Sequence, residues 1–109
     1  MIWLPEQLRE LLVSLARPDE RDGNIRRQAI ATLGAVWPRA EWLRDLLVRL
    51  TRPEEWNILV RREAIQTLGL LWGQAEWLRE LLVEIKGRSH DEGRIFIFAD
   101  AWLKRLWPE

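Results

Sequence analysis

Apolar positions along this chain recur at helical spacing in short blocks, and the blocks themselves recur. In the central stretch Trp42, Leu43, Leu46, Leu47 and Leu50 fall at three- and four-residue steps, while Arg44, Asp45 and Arg49 lie off that stripe. This is one apolar face of an amphipathic helix. Pro38 stands where a first helical residue tolerates proline, because its missing N–H would be unpaired there anyway. Arg52-Pro53 breaks the pattern, since proline disfavours helix in the residue before it. The spacing therefore predicts a helix of about 13 residues. A second helix is expected to open between Glu54 and Ile58. It carries Val60, Ala64, Leu68 and Leu71 on one face, with Ile65 and Trp72 beside them, and Gly73 supplies its stop.

The same pair of helices is written three times at a spacing of 35 residues. Leu8-Arg-Glu-Leu-Leu-Val13 returns as Leu43-Arg-Asp-Leu-Leu-Val48 and as Leu78-Arg-Glu-Leu-Leu-Val83. Arg26-Arg-Gln-Ala-Ile-Ala-Thr-Leu-Gly34 returns as Arg61-Arg-Glu-Ala-Ile-Gln-Thr-Leu-Gly69, and Trp37, Trp72 and Trp107 keep step. A fixed period of this length marks stacked units that bury their apolar faces against one another. One repeat domain over 1–109 follows, with units at 1–37, 38–72 and 73–109. In the first, Pro5 opens the first helix, Arg17-Pro18 breaks it and Asp19 to Asn24 form the turn. Gly34 and Gly69 lie inside the second helices, where glycine costs about 1 kcal/mol relative to alanine; meeting that cost twice at one phase points to a close helix approach.

The third unit departs from the pattern. Gly87-Arg-Ser-His-Asp-Glu-Gly93 replaces the proline break, and Phe96, Ile97 and Phe98 stand where Arg61, Arg62 and Glu63 stood. Taken alone Ile95 to Phe98 reads as a strand; the repeat register and the following Ala99, Leu103, Leu106 and Trp107 argue for helix. Two readings of the apolar switch stay open: local burial in a tilted end helix, or a self-association or partner contact through Phe96, Ile97 and Phe98, since monomers avoid exposed apolar patches. Ile2, Trp3 and Leu4 similarly arrive without a polar cap.

Paired helices with a proline break, followed by Val60-Arg-Arg-Glu-Ala-Ile-Gln-Thr-Leu-Gly69, resemble HEAT repeats. With the tryptophans at the helix ends, the chain is similar to the C-terminal HEAT-like repeats of bacterial NACHT-type signalling NTPases. The resemblance implies an all-α fold, a short α-solenoid of three antiparallel two-helix repeats with six helices. It also implies a bacterial signalling setting, as part of or alongside a larger protein. In this family the arginine matching Arg26 and Arg61 commonly pairs with an acid just upstream or in the next repeat. Asp22 stands four residues before Arg26, a favourable helical ion-pair spacing; Asn57 holds that place in the second unit, so such a ladder is incomplete.

Composition narrows the function. The formal net charge is zero, which lacks the basic bias of a dedicated nucleic-acid binder. With no cysteine in the chain, disulfides and thiolate metal sites are excluded. The start Met1-Ile-Trp-Leu-Pro5 is unlike a signal peptide and no apolar run reaches the roughly 20 residues of a membrane span, so a cytoplasmic location is expected. Arginine outnumbers lysine 15 to 2 and there are eight tryptophans. A GC-rich genome and selection for planar, stacking side chains explain that skew equally well.

Little catalytic chemistry is present. The single histidine, His90, lies in Ser89-His90-Asp91-Glu92, which reads as a solvated loop, because metal sites draw ligands from several segments at set spacings. No enzyme activity, metal or cofactor is expected, nor a small-molecule substrate. The leading reading is a scaffold or protein-interaction module. The resemblance places the second helices on the concave side, where Arg27, Arg62, Gln66, Leu70 and Arg105, with Trp56 near the lip, are candidates to hold a protein or peptide. Trp56 and Trp102 break the period, whereas the periodic tryptophans read as core between units. Nucleic-acid binding is the runner-up and requires Arg26, Arg27, Arg61 and Arg62 to form one uncompensated basic stripe. A designed repeat protein without biological function is a third reading, against which the drift between units and the irregular third unit argue.

Overall fold

The computed structural model describes residues 5–88 and 94–108, which form six helices joined by short loops, with no strand among them. The helices are α1 (Pro5–Ala16), α2 (Gly23–Val36), α3 (Glu41–Leu50), α4 (Ile58–Leu71), α5 (Glu76–Arg88) and α6 (Ile95–Leu106). The segment that alone reads as a strand, Ile95 to Phe98, opens α6. Pro5 opens α1 as expected.

Pro38 does not open α3. Its helix begins at Glu41 with Ala40 as N-cap, three residues later than the proline suggested. Instead the Ala40 N–H donates to the Trp37 carbonyl at 3.3 Å, closing a turn with Pro38 and Arg39 at its centre. Proline suits the first central position of such a turn, and the second requires a positive φ when the turn is of type II. Arg39 has φ 69°.

The loops also reassign Asp22. Its side chain accepts from the Asn24 and Ile25 N–H groups and caps α2. Asn57 does the same for α4, accepting from Leu59 and Val60. Asp22 and Asn57 thus share one job, satisfying N–H groups that a helix start leaves orphaned. The spacing that suggested an Asp22–Arg26 ion pair is a capping spacing, and Arg26 pairs elsewhere.

α2 packs on α1 and α4, α4 on α3 and α6, and α6 on α5. The inner helices α2, α4 and α6 therefore run in contact, each with one outer helix behind it, in a body 50 × 28 × 16 Å. The contact between inner helices is close where glycine stands. A Cβ on Gly34 would meet Thr67 Cγ2 at 3.1 Å, and one on Gly69 would meet the Trp102 ring at 2.6 Å. Trp102, which breaks the period at the place of Thr32 and Thr67, is buried. It fills the gap over Gly69 and is core.

The periodic tryptophans also lie against the core. Trp37, Trp72 and Trp107 cap the inner helices, their N–H groups donating to Leu33, Leu68 and Leu103. Trp37 meets Trp42 edge-on at 5.8 Å between centroids, and Trp72 meets Trp77 at 5.9 Å. Over these rings sit guanidinium groups from the outer helices: Arg9 on Trp42, Arg44 on Trp77 and Arg79 on Trp107, at 5.3, 5.6 and 5.9 Å. Part of the arginine excess is thus consumed by stacking within the chain.

Candidate protein-binding face

The exposed surface of α2, α4 and α6 is built from positions the core leaves over. Along α4, Leu59, Arg62, Glu63 and Gln66 follow one another at i, i+3, i+4 and i+7, so they share one face. Arg27 on α2 reaches across to Glu63, Nε to Oε1 at 3.6 Å. From the other side Phe98 on α6 lies under Arg62, with the guanidinium carbon 4.9 Å from its ring centroid. Together Arg27, Leu59, Arg62, Glu63, Gln66 and Phe98 line a shallow depression of about 120 Å³. A second, of about 230 Å³, continues it along α2 past Gln28 and Ala31 and shares Arg27 and Glu63. The two form one groove across the inner helices, with charged walls and apolar Leu59, Leu70 and Ile97 exposed along α4 and α6.

The sequence-derived candidates divide within this picture. Arg27, Arg62 and Gln66 line the groove together. Leu70 is exposed further along α4, outside that lining. Arg105 covers the buried Trp102 ring at 4.9 Å. Trp56 is held at the loop before α4, its Nε1–H donating to the Pro18 carbonyl at 3.2 Å. Its ring lies 5.5 Å from the Arg26 guanidinium, so it roofs a buried arginine. Phe96 and Phe98 are half-buried and Ile97 is exposed. Leu59 and Glu63 were not singled out from sequence, although their helical spacing to Arg62 and Gln66 was available. Ile2, Trp3, Leu4 and the Ser89-His90-Asp91-Glu92 loop lie outside the described residues.

The four arginines do not make an uncompensated stripe. Arg26 and Arg61 are buried. Arg26 forks onto Glu55 through both terminal nitrogens, and its Nε donates to the Ala16 carbonyl at 3.1 Å. Arg61 Nε donates to the Thr51 carbonyl at 3.3 Å, the same bond one period on. Arg27 and Arg62 are engaged by Glu63 and Phe98. Among the described residues no three His, Asp or Glu side chains converge as metal ligands, and no helix is long and apolar enough to cross a membrane.

Set beside known proteins, the chain matches no family model, no curated protein and no solved structure.

Proposed function

We propose that this chain is a non-catalytic interaction module, a short HEAT-like α-solenoid that holds a segment of a protein partner along the face of α2, α4 and α6. The observation that carries the reading is the groove itself. It places two exposed guanidinium groups, an amide and a carboxylate around apolar Leu59 and the half-buried Phe98. Arginine and aromatic groups of this kind dominate binding energy at protein interfaces. The depressions are too open and shallow for a small molecule, whose sites enclose several hundred Å³. A peptide or helix laid across the three inner helices would cover the exposed Leu59, Leu70 and Ile97 while exchanging ion pairs with Arg27, Arg62 and Glu63. Nucleic acid is disfavoured because burial of Arg26 and Arg61 and the Arg27–Glu63 ion pair break up any exposed run of positive charge.

The test is selection of peptides from a random display library on the purified chain. Selected peptides are expected to lose binding at least tenfold to the Arg62→Glu/Leu70→Glu variant, with the helical circular dichroism unchanged. Peptides indifferent to that variant, or tight and salt-sensitive binding of labelled duplex DNA by the parent chain, would sink the reading.

A further inference from the structure

The two ends of the fold are not alike, and the middle unit supplies the standard by which each is judged. At the α1/α2 end, Glu20 occupies the place that Glu55 holds one period later. Both carboxylates accept a backbone N–H two residues on, Glu20 from Asp22 at 3.0 Å and Glu55 from Asn57 at 2.8 Å. Glu55 also receives the Arg26 fork from the preceding unit. No cation among the described residues takes Glu20. The apolar residues of this end tell the same story. Leu11 is 42% exposed where its counterpart Leu46 is 8%, and Ile25 is 40% exposed where Val60 is 0%. Val36 is 50% exposed, while Leu71 in its place packs over Gly34 of the preceding unit. Thr32 is exposed, whereas Thr67 lies buried against Gly34.

The α5/α6 end is built the other way. Asp100 stands in the register of Ile30 and Ile65, Lys104 in that of Gly34 and Gly69, and Lys86 in that of Ala16 and Thr51. These three form an ion-pair triad, with Asp100 bonded to Lys86 at 2.8 Å and to Lys104 at 3.0 Å. Phe96 stands where an arginine would reach the next unit. A lysine stem at the glycine position removes the close approach on which the inner helices pack. This end carries polar groups at three positions that are apolar or small in the other units, with Val83 exposed on α5 where Val48 packs against the core; both of the chain's lysines are spent on it.

We infer that the α1/α2 end is an unfilled inter-unit face that receives a further two-helix unit bearing an arginine in the register of Arg26, whose guanidinium is taken by Glu20. The complementarity is double. A half-buried carboxylate is already oriented by its own backbone bond, and the same end exposes apolar residues at positions that the middle unit packs away. The inference rests on the stacked-repeat reading and is independent of the groove, whose failure is read with peptides and not by unfolding.

The test is a chain in which residues 1–40 are followed directly by 6–109, which adds one period and copies the natural Ala40–Glu41 junction as Ala40–Glu6. Urea unfolding of this extended chain is expected to show one transition at a higher midpoint, with a denaturant slope larger by about a third, in proportion to the added surface. Glu20→Gln in the inner copy should then reduce its folding equilibrium about tenfold or more, as loss of a buried ion-pair partner does. The same substitution in the parent chain should leave the midpoint in place, and Arg26→Gln in the added unit should reproduce the loss. A separate low-urea transition for the added unit overturns the inference, as does an equal effect of Glu20→Gln in both chains. Light scattering on the parent chain completes the test: a dimer abolished by Glu20→Gln would make a second copy the occupant and overturn the assignment.

Discussion

Arg26 and Glu55, 29 residues apart, form a buried bidentate ion pair that ties α2 to the loop ahead of α4. Every polar atom in it is used: Arg26 Nε goes to the Ala16 carbonyl, and Glu55 Oε2 also accepts the Asn57 N–H. Trp56 closes the pair from outside. Removing one partner strands a buried charge, so Glu55→Ala is expected to cost about 3–5 kcal/mol in urea unfolding. Replacing both, as Arg26→Met/Glu55→Met, should cost much less than the single change. Equal or additive losses would show that the pair is not desolvated.

The two inner-helix glycines should respond differently to alanine. Gly34→Ala meets the Thr67 methyl closely and Leu71 in ordinary van der Waals contact, and the better helix propensity of alanine, about 1 kcal/mol, offsets the closer contact. Gly69→Ala drives a methyl into the Trp102 ring and is expected to cost about 1–3 kcal/mol through overpacking. Trp102→Thr, the residue found at this register in the other units, should make Gly69→Ala tolerable in a double-mutant cycle.

Arg39 adopts a left-handed backbone that a side chain disfavours by about 1–2 kcal/mol. Arg39→Gly removes that strain and returns part of it as unfolded-state entropy. A net stabilisation of up to about 1 kcal/mol is expected, visible as a higher thermal midpoint. A lower midpoint would mean that the turn is held by the arginine side chain.

Acid should weaken the triad at the α5/α6 end. Hydrogen bonds from Lys86 and then Lys104 hold the Asp100 carboxyl below its ordinary value of 3.8. A carboxylate depressed in the folded state contributes stability that is whole above its unfolded value and is lost as pH falls through the lowered folded one. The stability difference between parent and Asp100→Asn should therefore be constant at neutral pH and shrink below about pH 4. A difference independent of pH would remove the triad from the account.

Much of the molecule was legible in its residues. Apolar spacing in Leu43, Leu46, Leu47 and Leu50, the Arg52-Pro53 break and the strict period located six helices, because helix formation answers to neighbours three and four positions away. The same locality misled at Pro38, where a turn that needs a positive φ outweighed a good helix opener. It misled again at Asp22, where one spacing serves a cap and an ion pair equally well. The groove was half visible: Arg27, Arg62 and Gln66 share it, but Phe98 and Glu63 enter only because α2 and α6 flank α4. Whether an arginine of this chain ends buried on Glu55, stacked on Phe98 or free in water depends on which helix lies alongside. Helical periodicity thus determined the elements and their repetition. Partner choice for each charge, and the contrast between the exposed inter-unit positions of the α1/α2 end and the ion-pair triad of the α5/α6 end, were decided by tertiary packing, because desolvation acts on what surrounds a group in space and not on what precedes it in the chain.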